Sequence, residues 1–148
     1  MPKASVKRLM KCDKNQLIDL VLDIEKYPSF VPYCIDAKIY EKKETKDFIN
    51  IIADLTIGKG LFKDTYKSAV KLNKKKNSIY VTNIDGPLKH LDNKWTFEDH
   101  KEGTEIYFNV DFEIKNKFLN ILMTTSFQYG LNKIADAFQE RAGQLFKS

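Results

Sequence analysis

Apolar side chains recur at every second position from Ile35 to Ile114, over about eighty residues. This alternation is typical of antiparallel strands that bury one face and expose the other. Polar turns such as Lys74–Asn77 and Asp85–Pro87 divide the region into six consecutive strands. The pattern therefore predicts an antiparallel meander with one apolar inner face.

Helical signals lie on both sides of this meander. Ser5–Met10 alternates as a first strand, and Asp13 with Gln16 forms the start of a predicted helix through a capping box. Apolar residues at helical spacing continue that helix, which we expect Pro28 to end: Leu17, Leu20, Val21 and Ile24. The last thirty residues or so return to helical spacing and predict one long helix, with a stripe of Phe127, Leu131, Ile134, Phe138 and Leu145.

The predicted architecture is α+β and occupies a single domain, residues 1–148. A chain of 148 residues can bury about 70% of its unfolded surface in one core. We find no repeat or linker. No apolar stretch approaches the ~20 residues that cross a bilayer, and the first residues lack the apolar core of a secretory signal. We expect a cytoplasmic protein whose two cysteines, Cys12 and Cys34, are reduced and unligated.

A net charge of +5 favours anionic partners. Lysines cluster at Lys74, Lys75 and Lys76, in a predicted turn. Phospholipid headgroups and RNA respond alike to such a patch, and lysines in a hairpin turn also serve solubility alone. The charge pattern leaves these three interpretations open.

Tyr27–Cys34, which we call the aromatic segment, places aromatic and apolar side chains beside Pro28 and Pro32. Proline fixes its own φ and disfavours the helical conformation of the residue before it, so we expect this segment to lack regular structure. A loop of this composition is suited to line a cavity.

One helix cannot cover the whole apolar face of a seven-stranded sheet. Either bulky side chains fill the remaining space or it stays open for a ligand, and the pattern allows both. Ser68 and Asn93 are polar residues on the predicted inner face. They bond either to backbone and water or to the polar head of a ligand.

The sequence lacks the usual catalytic templates, such as a nucleophile elbow, a zinc-protease motif or a phosphate-binding glycine loop. The alternation places His90 on the outer face, and His100 lies in a turn. We therefore predict a binding protein rather than an enzyme, with no metal site.

Three separated segments resemble the coenzyme Q-binding START-like family: Leu20–Cys34, Asp85–Phe97 and Ala137–Ala142. This family groups ubiquinone chaperones with ribosome-association toxins and oligoketide cyclase-like proteins. Leu88 departs from the pattern, since the family often has an aromatic residue there. The resemblance implies a helix-grip fold, in which a seven-stranded antiparallel sheet wraps around a long C-terminal helix, with short N-terminal helices between the first two strands.

The resemblance also implies an apolar tunnel between sheet and helix that holds ubiquinone or a similar prenyl lipid, as a ligand rather than a cofactor. We expect a non-catalytic carrier or chaperone that supports respiratory electron transport and touches the anionic inner face of the cytoplasmic membrane. The alternative is a toxin that docks on the large ribosomal subunit through Lys74–Lys76 and blocks subunit association. We expect no DNA partner. The predicted ligand-binding residues are Tyr27, Phe30, Pro32, Tyr33, Leu55, Phe62, Asn93, Trp95, Phe108, Phe127 and Leu131.

Overall fold

The computed structural model describes residues 3–59 and 62–146, except for the side chains of residues 59, 62, 118, 119 and 122–126. Seven strands and two α-helices follow one another, with a 3-10 helix at Ile24–Ser29 between α1 and β2. Their bounds are β1 Lys3–Met10, α1 Lys14–Leu22, β2 Cys34–Glu44, β3 Phe48–Lys59, β4 Phe62–Asn73, β5 Ser78–Asp85, β6 Leu88–His100, β7 Gly103–Ile114 and α2 Lys117–Leu145.

The strands form one antiparallel sheet in the order β1-β7-β6-β5-β4-β3-β2. This confirms the predicted meander, since β2 to β7 pair in sequence, and adds β1 beside β7. The buried side chains alternate along each central strand, as in β7, where Ile106, Phe108 and Phe112 face inward. The long helix α2 contributes Leu131, Ala135, Phe138 and Ala142 to the same core.

The predicted capping box begins α1. Asp13 accepts a hydrogen bond from the backbone N–H of Asn15 at 3.0 Å, and the side chain of Gln16 accepts one from the Asp13 N–H at 3.2 Å. The backbone N–H groups of the first turn, which have no helical partner, are partly satisfied in this way.

Two expectations about the following residues were wrong. Pro28 does not end α1, because α1 ends at Leu22, and the start of the aromatic segment is regular structure within the 3-10 helix Ile24–Ser29. A 3-10 turn accepts proline because its φ lies near the value that the proline ring fixes.

Ile35 and Ile57 lie at the ends of strands near the sheet edge and are 49% and 39% exposed, although the alternation placed them on the buried face.

The two outer strands of the sheet differ in what lies beside them. Two glutamines of α2 cover β1: the Gln128 Nε2 donates to the Ser5 carbonyl at 3.0 Å, and the Gln139 Nε2 donates to the Leu9 carbonyl at 3.4 Å. On the opposite edge, β2 breaks its register with β3 twice, and residues 41–44 are exposed and charged.

Candidate functional site

Aromatic rings fill one end of the space between the sheet and α2. Trp95 of β6 stacks on Phe108 of β7 with ring centroids 3.9 Å apart. Phe138 of α2 meets Trp95 edge to face at 5.2 Å. Trp95 and Phe138 are both buried. This end of the interior is therefore a packed core.

The first half of the aromatic segment is attached to this core. Phe30 lies edge to face with Tyr27 at 6.0 Å and with Phe138 at 5.2 Å. The Tyr27 hydroxyl donates to the carbonyl of Val21, at the end of α1. The guanidinium of Arg141 lies 5.4 Å from the ring centre of Phe30. Ring packing thus holds the segment against α2, and the Tyr27 hydrogen bond attaches it to the end of α1.

Tyr33 attaches the second half of the segment. Its backbone adopts φ +69°, unusual for a residue other than glycine. Its carbonyl accepts a hydrogen bond from the Gly58 N–H at 2.9 Å, at the end of β3. A methyl group added to Gly130 of α2 would lie 4.0 Å from the Tyr33 ring, so the ring lies beside the helix. The aromatic segment therefore spans the distance from the sheet to the helix.

Several side chains keep accessible surface although they lie on the inner face of the sheet. Leu55, Tyr66, Val81 and Asn93 are half-buried, whereas Ile51, Ala53 and Ile79 on the same face are almost wholly buried. Phe127 of α2 is also half-buried and meets Phe112 at 4.5 Å. Apolar surface that no described side chain covers therefore remains on the inner face of the sheet.

The polar groups on the inner face divide into satisfied and unsatisfied ones. Ser68 is fully buried and donates to the Ala53 carbonyl at 3.5 Å, and the Asn83 Nδ2 donates to the Leu88 carbonyl at 3.1 Å. The buried Oδ1 of Asn93, by contrast, has no hydrogen-bond partner in the described part of the chain. An unpaired buried acceptor costs stability, so the Asn93 Oδ1 needs a donor that water or a ligand can supply.

The polar groups below the aromatic segment are uncharged near neutral pH. Burial raises the pKa of Tyr27 and of Tyr66 well above the usual range, and the proximity of Tyr66 and Cys34 to Tyr27 adds to the shift. Burial, together with the nearby Asp36, raises the pKa of Cys34 to about 11. These hydroxyl and thiol groups are therefore neutral, and those of Tyr27 and Cys34 already donate to the carbonyls of Val21 and Asp36.

The predicted ligand-binding residues fall into three groups in the structure. Trp95, Phe108 and Leu131 are buried in the packed core. The side chain of Phe62 lies outside the described residues. The others are half-buried, around or within the aromatic segment and the open part of the inner face: Tyr27, Phe30, Pro32, Tyr33, Leu55, Asn93 and Phe127. Their role as ligand contacts stays a prediction.

The sequence analysis missed three residues of this region. Tyr66 and Val81 fell on the predicted inner face, so the alternation could have found them. Phe138 belonged to the predicted helical stripe, but its contact with both Phe30 and Trp95 depends on how α2 crosses the sheet.

An open cleft of ≈ 520 Å³ lies on the outside of the aromatic segment. The segment contributes Pro28, Phe30 and Pro32 to it, and α2 contributes Lys133, Asp136 and Glu140. The cleft borders both prolines, but its charged helix side makes it unlike an apolar tunnel.

The lysines predicted as a docking site lie at the β4–β5 turn. The Lys74 Nζ lies 2.7 Å from a Glu44 carboxylate oxygen, and the Lys75 Nζ lies 3.8 Å from an Asp47 oxygen. Lys76 is exposed. Neighbouring carboxylates thus partly neutralise this cluster, and its docking role stays a prediction.

Neither histidine faces the open part of the inner face. The His90 Nε2 lies 3.1 Å from an Asp92 oxygen on the outer face, and His100 is exposed near the β6–β7 turn. Among the described residues, no three His, Cys, Asp or Glu side chains are grouped to hold a metal ion. Over the same residues, no helix has the length and apolar character needed to cross a membrane.

A family model described as polyketide cyclase / dehydrase and lipid transport matches residues 13–139, most of the chain. The chain belongs to this START-like family. The helix-grip architecture predicted from the sequence is confirmed by the seven-stranded sheet with its C-terminal helix.

Relatives within the family carry two different names. The ribosome association toxin RatA of Rickettsia prowazekii is 30% identical over 95% of each chain. The coenzyme Q-binding protein COQ10 of Dictyostelium discoideum is 28% identical over 94% of this chain and 68% of its own. The names of these START-like relatives therefore point in two functional directions.

Solved structures agree on the START-like fold. An 18 kDa protein of Caulobacter crescentus, 26% identical, has a TM-score of 0.81 with 98% of each chain covered. The Zhui aromatase/cyclase of a Streptomyces species reaches a TM-score of 0.79 at 12% identity, covering 96% of this chain and 93% of its own. At 12% identity this second likeness shows the fold alone.

Proposed function

We propose that the chain binds ubiquinone or a similar prenyl lipid between the inner face of the sheet and α2, as a non-catalytic carrier that supports respiratory electron transport. The observation that carries the proposal is the accessible surface of Leu55, Tyr66, Val81 and Asn93 on the inner face of the sheet. The coenzyme Q-binding name of one relative supports the choice of ligand.

The physical chemistry suits a lipid with a long apolar tail and a small polar head. Each CH₂ equivalent withdrawn from water contributes about 0.8 kcal/mol, so even a short prenyl run binds usefully on half-buried apolar side chains. The Asn93 amide is a polar contact for the head. Neither role needs a catalytic group.

Exposed apolar side chains flank the end of the aromatic segment. Ile35 of β2 and Ile57 of β3 are 49% and 39% exposed, and Ile57 pairs with Cys34 in the sheet. Together with the net positive charge, they suit transient contact with an anionic lipid surface, where a carrier loads and releases its ligand.

Lipid extraction from the purified protein, followed by mass spectrometry, tests the proposal directly. We expect a quinone or prenyl lipid, and we expect a short-chain ubiquinone to raise the melting temperature. Asn93→Leu should reduce this rise, whereas the matched variant Thr82→Val, on the outer face of the adjacent strand, should retain it. Absence of any prenyl lipid in the extract, together with no thermal shift, rejects the proposal.

The second candidate function is association with the large ribosomal subunit. It is favoured by the ribosome association toxin name of relatives at 30% and 28% identity. Co-sedimentation with isolated large subunits at low and high salt tests it, since binding through basic side chains weakens as salt rises.

A further inference from the structure

The outer face of the sheet carries two adjacent rows of side chains without an acidic residue. Strand pairing places these residues level with one another across the sheet. The first row, from β1 to β2, is Ser5, Asn109, Lys94, Tyr80, Lys71, Asn50 and Lys43. The second row, from β1 to β3, is Lys7, Tyr107, Thr96, Ser78, Asn73 and Phe48.

We call these two rows the outer band. Neighbouring strands lie about 4.8 Å apart, so the first row extends for roughly 29 Å across seven strands. Acidic side chains begin at the next row on each side, with Asp92 opposite Asp111 and Glu98 opposite Glu105. Positive charge is therefore concentrated along a line across the strands.

Two of the three aromatic rings of the outer band are presented to solvent. Tyr80 is 44% exposed and Tyr107 is 47% exposed. The Tyr80 hydroxyl donates to Asp92 Oδ1, so the neighbouring row holds the ring while its face stays accessible. Tyr80 lies between Lys71 and Lys94 in its row.

Lysine ammonium groups lie close to the other two rings. The Lys71 Nζ is 4.5 Å from the ring centre of Phe48, and the Lys7 Nζ is 5.7 Å from that of Tyr107. Lys7 also lies 3.4 Å from a Glu105 oxygen, and the Lys43 Nζ lies 2.9 Å from a Glu41 oxygen. Lys71 and Lys94 therefore carry most of the unneutralised charge of the band.

We propose that the outer band is a docking surface for single-stranded RNA. Bases stack on exposed aromatic rings, lysines neutralise phosphates, and serine, threonine and asparagine side chains hydrogen-bond to base edges and ribose hydroxyls. The band presents all three kinds of group in one line. It names the partner for the ribosome-directed alternative and does not depend on lipid binding at the inner face.

A membrane as the partner of the outer band, and the Lys74–Lys76 turn as the RNA-binding surface, both fit the structure less well. A membrane contact needs apolar side chains that insert, whereas the band exposes tyrosines surrounded by amides and hydroxyls. The Lys74–Lys76 turn has no aromatic ring in its sequence, so it offers no surface on which a base can stack.

Fluorescence anisotropy with a labelled 12-nucleotide polyuridine at 50 mM salt tests the proposal on the full chain. We expect K71Q/K94Q to weaken binding at least about tenfold and to lower the salt-dependence slope by about 1.4, since each phosphate contact on a single strand contributes about 0.7. The double variant K26Q/K101Q, which removes the same charge from exposed sites outside the band, should stay within about threefold.

The tyrosine is tested separately from the charge. Y80F keeps the ring and loses only the hydroxyl, so it should bind as the unmodified protein does within about twofold. Y80L should lose at least about fivefold, the lower end for one stacked base. Circular dichroism checks that both variants fold.

Four results overturn the proposal: no binding of the 12-mer, equal losses in the two charge variants, no loss in Y80L, or a larger loss in K75Q/K76Q than in K71Q/K94Q. The proposal is also overturned if K71Q/K94Q loses binding to phosphatidylglycerol vesicles by the same factor as it loses binding to the 12-mer. The band is then a general surface for anions. Retention of the ubiquinone thermal shift in K71Q/K94Q separates this outcome from failure of the lipid proposal.

Discussion

Phe30, at the end of the 3-10 helix, lies edge to face with Phe138 of α2 at a centroid distance of 5.2 Å. An edge-to-face pair contributes about 0.5–1.5 kcal/mol beyond its buried area. Separation of the aromatic segment from α2 therefore requires the loss of a few such contacts rather than unfolding of the sheet. In the proposed carrier, contacts of this strength would let the aromatic segment act as a lid that opens to admit a lipid.

Phe138→Ala should lower the free energy of unfolding by about 3–5 kcal/mol, because a buried phenylalanine that touches Tyr27, Phe30 and Trp95 leaves a cavity. Urea denaturation measures the loss. Leu145→Ala, at an exposed position in the same helix, should change stability by less than about 0.5 kcal/mol. Similar losses in the two variants would show that α2 does not pack as described.

Two glycine-to-alanine substitutions should change stability in opposite directions. Gly103 has φ +145°, and an added Cβ would lie 2.1 Å from the Met10 carbonyl oxygen, so Gly103→Ala should destabilise by more than about 2 kcal/mol. Gly143 lies in α2 with nothing within 4 Å of an added Cβ, so Gly143→Ala should stabilise by about 0.5–1 kcal/mol. Thermal denaturation of both variants checks the signs, and a stable Gly103→Ala contradicts the close approach.

The Cys34 thiol should lose its proton at a higher pH than an ordinary cysteine thiol. Its pKa is raised from 9.0 to about 11, mainly because burial disfavours the thiolate. In a Cys12→Ser variant, the rate of alkylation by iodoacetamide should therefore rise with an inflection near pH 11. An inflection near pH 9 would mean that the thiol is solvated.

The raised pKa of Cys34 also makes the free energy of unfolding fall as pH rises above about 9. Because the unfolded chain loses the Cys34 proton first, the contribution of the folded thiol is complete below about pH 9 and is lost as pH rises toward about 11. Urea denaturation of the Cys12→Ser protein across this interval should show a decline that is weaker in Cys12→Ser/Cys34→Ser.

Asn93→Leu and Asn83→Leu should differ although both change an inner-face asparagine. The Asn93 Oδ1 has no partner, so its replacement should leave stability unchanged or raise it by up to about 1 kcal/mol. The Asn83 Nδ2 donates to the Leu88 carbonyl, so Asn83→Leu should cost about 1–3 kcal/mol. Urea denaturation without lipid makes the comparison. A large loss in Asn93→Leu would assign Asn93 a structural role.

Much of the fold could be predicted because local signals and tertiary structure agree. The alternation from Ile35 to Ile114 marked six strands, and Asp13 with Gln16 marked the start of α1. The 3-10 helix could not be predicted, since the φ of Pro28 suits a turn, an extended segment or a 3-10 helix equally.

The candidate site was less predictable, because it depends on partners distant in sequence. Ser68 and Asn93 look alike in the sequence, yet only Ser68 reaches a backbone carbonyl. In the sequence Lys74 and Lys75 have no visible partner. In the structure they form ion pairs with Glu44, the last residue of β2, and with Asp47 in the following turn. The outer band could not be predicted either, because only the strand register shows which residues lie level with one another across the sheet.

The two borders of the sheet have a consequence for self-association. On β1, the side-chain amides of Gln128 and Gln139 occupy backbone carbonyls that an incoming strand would use. On β2, the two register breaks bend the strand and the side chains of residues 41–44 are charged, so a strand of another copy cannot pair with it easily. Copies of this protein should therefore not polymerise by pairing of their edge strands.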